Sequence, residues 1–519
     1  MRGDREASGV RRNASVRAAD SIDWAAVDAL RIRRLTSDSR AVRAGDTFVA
    51  YPGETRDGRD FIAHAILAGA DSVLWEPSAF QWKPSWRVRN LPVPQLRRQS
   101  GFVASHVYGR PSSRLWMIGV TGTNGKTTCS QWIAQAFNRL ERRCAVAGTI
   151  GNGFPGALES SVNTTPDAAW LHGQLRDWNR GGARAVAMEV SSHGLEQGRV
   201  NGVEFDVALF TNLTRDHLDY HGTMANYRRA KARLFDWETL KWSVFNLDDR
   251  FGADLARRPR SACVLGYGFN RPDVASRRVP RVQGRNLRLA PDGVTFDVVS
   301  PWGTAHVRGK VLGRFNASNL LGTLAVLLAS NTELSDAVRV LAELEAVPGR
   351  AERYGGGRGE TGPLVVVDYA HTPDALEKIL TTLREVGGSA RHAKLTCIFG
   401  CGGDRDRGKR VMMGRIATRC ADRVIITSDN PRGEPPMAII ADILKGTTRD
   451  CTVIEDRASA VREAIFTSAR GDIVVVAGKG HEPYQEIRGV RYPYSDAQVV
   501  RAALANRAKV ARPAKAVAA

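Results

Sequence analysis

Short apolar runs bounded by glycine alternate along much of this chain with stretches whose apolar residues recur three and four positions apart. Leu115-Trp-Met-Ile-Gly-Val120 predicts a strand, Lys126 to Leu140 a helix, and Arg184-Ala-Val-Ala-Met-Glu189 a second strand. Strand–loop–helix order of this kind predicts an α/β fold with a parallel sheet and helices on both faces. After Pro348-Gly-Arg350 the rhythm returns. Strands are predicted near 364–369, 395–400, 423–428 and 472–477, with helices opening near Pro373, Arg410, Pro435 and Ala458. Upstream, Asp46-Thr-Phe-Val-Ala-Tyr51 predicts a strand and 61–69 a helix, separated by a Gly/Asp-rich loop at 53–60. Residues 282–312 alternate around Pro291-Asp-Gly293 and predict a hairpin, followed by helices over 317–329 and 335–346.

These patterns divide the 519 residues into an N-terminal domain over 21–113, closed by a Pro/Arg-rich passage, a central domain over 114–347 and a C-terminal domain over 348–507. The C-terminal part reads as Rossmann-like, although no GxGxxG fingerprint is present. Residues 1–20 and 508–519 are poor in bulky apolar side chains and are predicted to be disordered. A hydrophobic content of 43% and a charged content of 25% suit a soluble globular chain. No apolar run approaches the ~20 residues of a membrane span, and the Arg-containing start lacks a signal-peptide core, so a cytoplasmic location is expected. Seven cysteines without CxxC spacing argue against disulfides or zinc, and Cys397 and Cys401, flanking a predicted strand end, are expected to be core thiols. The formal charge of +21 raises the question of nucleic acid. The basic residues are spread along the chain, without aromatic interleaving, so no nucleic-acid partner is expected; positive clefts for an acidic small molecule fit as well.

The chemistry starts at Gly119-Val-Thr-Gly-Thr-Asn-Gly-Lys-Thr-Thr128. It has the Gly-Lys-Thr of a phosphate-binding loop, yet Val120 stands where the common pattern has its first glycine. Gly122 and Gly125 still supply permissive backbone, Lys126 opens a helix whose N-terminus favours anions, and Thr127 offers a hydroxyl to Mg²⁺. A nucleoside triphosphate site is predicted. Glu189, at the end of the 184–189 strand, adds an oxygen ligand suited to Mg²⁺. Beyond Asp216-His-Leu-Asp-Tyr-His221, the residues Met224, Tyr227, Lys231, Leu234 and Phe235 share one helical face. Lys231 either snorkels from this stripe to solvent or is held neutral within it, and a neutral amine can take up CO₂ as a carbamate.

The third block has its own cluster. Asp368-Tyr-Ala-His371, Gly400-Cys-Gly-Gly-Asp404, Asp429-Asn-Pro-Arg432 and Gly478-Lys-Gly-His-Glu482 all follow strands. Arginine and carboxylate on one sheet edge predict a pocket for a zwitterionic ligand.

Taken in order, several segments resemble the Mur ligases, ATP-dependent amide ligases of peptidoglycan synthesis. They are Gly122-Thr-Asn-Gly-Lys-Thr-Thr128, Asn163-Thr-Thr165, Glu189-Val-Ser-Ser-His-Gly-Leu195, Asp216-His-Leu-Asp-Tyr-His-Gly222, Pro348-Gly-Arg350, Asp368-Tyr-Ala-His371 and Gly478-Lys-Gly-His-Glu482. The resemblance covers about residues 30 to 500 and implies the three-domain Mur architecture, with a central P-loop domain. Ser37-Asp-Ser-Arg40 and Asp429-Asn-Pro-Arg432 are most similar to members that add meso-diaminopimelate to UDP-N-acetylmuramoyl-L-alanyl-D-glutamate. Lysine-adding and folylpolyglutamate-type ligases are the near alternatives, and a nucleic-acid-stimulated ATPase is the distant one.

The resemblance implies that Gly122, Thr123, Asn124, Gly125, Lys126, Thr127, Thr128, Asn316 and Arg350 bind ATP, with Asp368 and His371 nearby in a closed form. It implies one Mg²⁺ on Thr127 and Glu189 and a second on His217 and carbamylated Lys231. Lys126, Glu189, His217 and Lys231 would carry the catalysis. Ser37, Ser39, Asn163, Thr164, Thr165, Ser191, Gln197 and Arg199 would hold the UDP-muramoyl dipeptide. Arg405, Asp429, Asn430, Pro431, Arg432, Gly478 and Glu482 would hold diaminopimelate. Two features depart from the family pattern: the Glu54-Thr-Arg56 loop, where relatives contact uridine, and Ala351, where many members carry Met.

Overall fold

The structure, a computed structural model, describes residues 22–510 apart from 55, 162, 259–260, 271–277, 358–361 and 388–392. The extension over 1–20 lies outside the described residues. So does the tail beyond 510; the last helix, Asp496–Val510, runs past 508, where the sequence pattern predicts disorder to begin. The described chain forms two compact units, one within Met1–Val282 with Ala325–Thr332, the other within Gln283–Leu324 with Glu333–Ala519. No helix among the described residues is long and apolar enough to cross a membrane.

The first unit opens with a parallel sheet in chain order: β1 (Leu35–Thr36), β2 (Thr47–Ala50), β3 (Ser72–Trp75) and β4 (Arg89–Pro92). Side chains alternate across it as a strand requires. Phe48, Ala50 and Val73 pack with Ile62 and Ala65 of the helix Ile62–Leu67 on one face. Val49 and Leu74 pack with Leu96 and Val103 of the helix Leu96–Val107 on the other.

The same unit holds β5 (Trp116–Thr121), β6 (Cys144–Ala147), β7 (Asn152–Phe154), β8 (Ala157–Glu159), β9 (Ala185–Glu189), β10 (Val207–Phe210), β11 (Trp242–Asn246) and β12 (Cys263–Gly268). They pair in the order β12-β11-β10-β5-β9-β6-β7-β8, parallel except at the β6–β7 and β7–β8 pairs. β5 lies between β9 and β10, so the glycine-rich loop leaves the sheet where flanking strands end level with it. Val120 pairs with Glu189, and Thr121 with Phe210. Asn201 joins the two sheets of this unit: its side-chain amide donates to Arg98 O at 2.8 Å. A Cβ on Gly101 would lie 2.2 Å from Asn201 O, so only glycine permits this approach.

In the second unit, β13 (Arg281–Ala290), β14 (Gly293–Ser300) and β15 (Gly303–Gly309) form an antiparallel meander. The sequence pattern predicts only a hairpin here, because the second turn, at Pro301 and Trp302, is short and exposed; the helices Gly313–Ala329 and Leu334–Ala342 follow as expected. The remaining sheet comprises β16 (Glu352–Tyr354), β17 (Leu364–Asp368), β18 (Leu395–Phe399), β19 (Arg423–Ile426), β20 (Thr452–Val453) and β21 (Ile473–Ala477). Its order is β16-β17-β21-β18-β19-β20, parallel except for β16. Both faces are covered, which explains unbroken valine runs: Val366 packs with Leu376 and Ile379, while Val365 and Val367 pack with Val461 and Ile465. β22 (Tyr484–Ile487) and β23 (Val490–Pro493) make a separate hairpin.

One ion pair ties the helices Arg457–Thr467 and Asp496–Val510 to the end of β21. Arg457 donates to both Asp496 oxygens at 2.8 Å and to Ala477 O at 3.0 Å, and both partners are fully buried. Arg457→Met should cost the fold about 3–5 kcal/mol, because Asp496 then stays buried without its counter-charge. Urea unfolding of the variant checks the loss, and the double replacement Arg457→Met with Asp496→Leu should recover most of it.

Candidate active site

Phosphate-loop geometry is built from β5 and the helix Lys126–Arg139. Gly122 and Gly125 have positive φ, and a Cβ on Gly122 would stand 1.9 Å from Thr211 Oγ1. The loop is braced from the end of β10: Asn124 N donates to Asn212 Oδ1 at 3.0 Å, and Thr211 Oγ1 donates to Asn124 O at 2.6 Å. Lys126 Nζ turns back to Gly122 O and Thr123 O, both at 3.0 Å. Thr123 Oγ1 lies 3.1 Å from Tyr227 OH, and Thr128 is buried.

Glu189 sits beside Thr127, as the β5–β9 register requires. Thr127 Oγ1 donates to Glu189 Oε2 at 2.9 Å, and Thr149 N donates to Oε1 at 2.7 Å. Gly148 has no room for a Cβ, which would meet Oε1 at 2.2 Å. Two oxygen donors this close, at a helix N-terminus, fit a magnesium site.

Lys231 does not snorkel. It is 1% exposed, and its Nζ donates to Gly122 O at 2.7 Å, so that carbonyl serves two lysine side chains. Burial first, then Lys126, holds the Lys231 amine well below its ordinary pKa, against the opposing pull of Asp216. His217, held in the left-handed region at φ 51°, places its Nε2 3.3 Å from Asp216 Oδ2. Its ring stands 4.9 Å from His193 and 6.2 Å from Tyr227. His193 is pushed down to about 4, by burial first and then by His217 and His221.

A polar chain continues from Glu189 through residues expected to hold the nucleotide-sugar peptide. Thr165 Oγ1 donates to Glu189 O at 2.9 Å and accepts from Ser191 N at 2.9 Å. Arg199 donates to Thr165 O and to Gln197 Oε1, each at 2.9 Å, and Thr149 Oγ1 donates to Thr164 Oγ1 at 3.1 Å. Gln197 Nε2 reaches Glu54 Oε1 at 3.4 Å and Tyr220 OH at 3.3 Å. Burial pushes up both the Tyr51 hydroxyl and the Asp167 carboxyl, and Ser37 lies beside the two. Ser39 is buried in a short turn capped by Asp38, and Asn163 is exposed. Thr55 lies outside the described residues.

The second unit gathers the other predicted cluster at the ends of β17, β18, β19 and β21. Asn430 Nδ2 donates to Glu482 Oε2 at 2.8 Å, and Asn430 N donates to Asp429 Oδ1 at 2.7 Å. Arg432 is left-handed at φ 50°; its Nη1 donates to Gly403 O at 2.9 Å, and its Nε lies 3.7 Å from Glu486 Oε2. Gly403 accommodates Pro431 O, which a Cβ would approach to 1.9 Å. Gly478, at φ 118°, faces Asp429 Oδ2, 2.5 Å from where its Cβ would be. Arg405 is exposed on the 400–407 loop. Arg350 lies over the Tyr369 ring at 4.7 Å, and Ala351 N donates to Asp368 Oδ2 at 2.7 Å. His371 Nδ1 is 2.8 Å from Tyr369 O. Asn316 is buried, its amide donating to Leu312 O at 3.1 Å.

Sequence reasoning missed Thr149, His193, Tyr369, Lys479 and Glu486. Lys479 lies within Gly478-Lys-Gly-His-Glu482, but nothing local marks a lysine between two glycines as buried.

Three segments match known families: residues 31–108 the Mur ligase family catalytic domain, 120–327 the Mur ligase middle domain, and 349–480 the Mur ligase glutamate ligase domain. The chain is 48% identical over 489 residues to a UDP-N-acetylmuramoyl-L-alanyl-D-glutamate–2,6-diaminopimelate ligase of Nitrosomonas europaea, covering 92% of this chain and 93% of that one. It is 50% identical over 481 residues to the like-named protein of Chromobacterium violaceum, covering 92% and 94%. A solved structure of a UDP-N-acetylmuramoyl-L-alanyl-D-glutamate–2,6-diaminopimelate ligase matches with TM-score 0.65 and 38% identity, over 92% of this chain and 95% of that one. A MurF ligase from Thermotoga maritima in complex with ADP shares the fold at TM-score 0.62 and 18% identity, over 93% and 99%.

Proposed function

This chain belongs to the Mur ligase family, and we propose that it joins meso-diaminopimelate to the D-glutamyl γ-carboxylate of UDP-N-acetylmuramoyl-L-alanyl-D-glutamate at the expense of ATP. The observation that carries this reading is the gathering of Asn430, Arg432 and Glu482 on one sheet edge, cation and carboxylate together for a ligand bearing both charges. Relatives named for this reaction match the chain over nine-tenths of its length, 92% in each case. The product is a peptidoglycan precursor, and a cytoplasmic reaction suits soluble nucleotide substrates.

A carboxylate does not condense with an amine at neutral pH, so it must be activated. A γ-carboxylate oxygen attacks the γ-phosphorus of ATP, the bond to the β–γ bridging oxygen breaks, and ADP leaves an acyl phosphate. The amine of diaminopimelate then attacks the acyl carbon. Its proton is lost to solvent, and the tetrahedral intermediate expels phosphate. Amides of the loop and of the first helical turn and the Lys126 ammonium hold the β- and γ-phosphates, where positioning and charge carry phosphoryl transfer. Thr127 and Glu189, whose oxygens lie 2.9 Å apart, would hold magnesium, which would neutralise phosphate charge. His217 and a Lys231 carbamate would hold a second ion. The carbamate forms when the neutral amine adds to CO₂ and releases a proton, and burial of Lys231 favours that neutral amine. Asn316 and Arg350 complete the nucleotide contacts. Ser37, Ser39, Asn163, Thr164, Thr165, Ser191, Gln197 and Arg199 bind the muramoyl dipeptide. Residues 21–113, 114–347 and 348–507 serve as the nucleotide-sugar, ATP and amino-acid domains.

Arg432 sets selectivity, with Arg405, Asp429, Pro431 and Gly478 shaping the same pocket. A distal carboxylate satisfies its guanidinium; lysine leaves it unmatched, and a site built around such a polar group discriminates by roughly 10⁴. Phosphate release should require the muramoyl dipeptide together with meso-diaminopimelate, with lysine and ornithine poor substitutes and DNA or RNA without effect. Arg432→Ala should raise the KM for diaminopimelate far more than that for ATP. Stimulation by nucleic acid without diaminopimelate-dependent release would end the proposal.

Lys231→Ala should lower kcat by about 10²–10³-fold, the usual cost of a lost electrostatic stabiliser. Formate or acetate should restore part of the rate by supplying the missing carboxylate. Absence of rescue, with magnesium affinity unchanged, would reject the carbamate.

A further inference from the structure

The geometry points to Lys479 as a positioning residue for the end of the pocket that receives the amino acid's ammonium group, an inference that rests on the function just proposed. Gly478 at φ 118° and Gly480 at φ 53° flank it, so the chain reverses tightly on both sides of the lysine. The Lys479 side chain is wholly buried, its Nζ donating to Asn430 Oδ1 at 2.8 Å and to Glu482 Oε2 at 3.1 Å. A buried ammonium requires such partners, because desolvating an unpaired charge costs several kcal/mol.

Two consequences follow from this triangle. Asn430 Oδ1 also accepts from Glu486 N at 3.0 Å, so it faces two donors and the amide cannot flip without setting its NH₂ against an ammonium. Its Nδ2 is thereby aimed at Glu482 Oε2, at 2.8 Å. Glu482 Oε2 is then satisfied twice, while no described residue hydrogen-bonds Oε1. Of the three side chains, Lys479 is 0% and Asn430 3% exposed, whereas Glu482 is 20% exposed. Lys479 thus turns one carboxylate oxygen inward and leaves the other as the acceptor open to solvent. An α-ammonium is the group that this oxygen fits. Lys479 touches no substrate on this reading; it acts through Glu482 and Asn430.

The test uses the full-length enzyme and steady-state phosphate release. Lys479→Met should raise the KM for meso-diaminopimelate at least about tenfold, with the KM values for ATP and the muramoyl dipeptide within about twofold of wild type. The melting temperature should stay within a few degrees. In a Glu482→Gln background, adding Lys479→Met should raise the diaminopimelate KM less than about threefold, because coupled residues are non-additive. Equal rises in all three KM values, or fully multiplicative effects in the double variant, would overturn the role. Should the methionine variant not fold, Lys479→Gln, which keeps a donor but no charge, is read by the same criteria. A wild-type enzyme without diaminopimelate-dependent phosphate release would instead sink the proposed function itself.

Discussion

Two lysine side chains, Lys126 and Lys231, donate to the single carbonyl oxygen of Gly122, and the first site depends on that convergence. Like charges this close repel, which together with burial favours the neutral amine at Lys231. The convergence lies at the N-terminus of the helix that opens at Lys126, where an anion is favoured. It also fixes the backbone. Thr211 and Asn212 at the end of β10 grip the loop from outside, so Gly122 has no room for a side chain. The position of Val120 in the phosphate-loop pattern ceases to be an anomaly on this view. Val120 is the last fully paired residue of β5, level with Glu189, and the loop begins after it.

Both units use one construction, parallel strands that release their chemistry at their C-terminal ends. The outcome differs with the residues released. In the first unit, backbone N–H groups, two lysines and a carboxylate suit phosphate with a metal. In the second, Asp429, Asn430, Arg432 and Glu482 alternate acceptors and donors, which suits a ligand of mixed charge. The glycines mark where this demands close approach. Gly403 and Gly478 let loops from β18 and β21 lie against Pro431 and Asp429, contacts that any Cβ would block.

Much of this was legible in the sequence, for physical reasons that vary by residue. The loop, Glu189 and the cluster around Asp429 were legible because each follows an apolar run and carries residues whose chemistry is local. The helical face that includes Tyr227 and Lys231 showed that the lysine lay in an apolar stripe. Only coordinates exclude snorkelling, by placing its Nζ on Gly122 O. The third strand of the meander was hidden because Gly303-Thr-Ala-His-Val-Arg-Gly309 has few apolar residues, its outward face being exposed. Lys479 was illegible for a deeper reason. Its burial depends on Asn430, 49 positions away in sequence, and no periodicity encodes such a partner.

The buried arginines show how the second site keeps its shape. Arg410 is fully buried and donates to Glu434 and Asp442, while Glu434 Oε1 also accepts from Asp404 N at 2.7 Å. Asp404 Oδ2 in turn accepts from Gly433 N at 2.9 Å, beside Arg432. The 400–407 loop and the 429–434 loop are thus tied through a charge pair that neither ligand nor solvent supplies. Arg457 with Asp496 does the same beneath Gly478. Guanidinium suits this work because its planar fork satisfies several oxygens at once, whereas an ammonium is a point charge. Lysine is used at Lys479 instead, where a carboxylate and an amide oxygen meet at one point. The arginines hold the walls, and that lysine sets which face of a carboxylate the pocket presents.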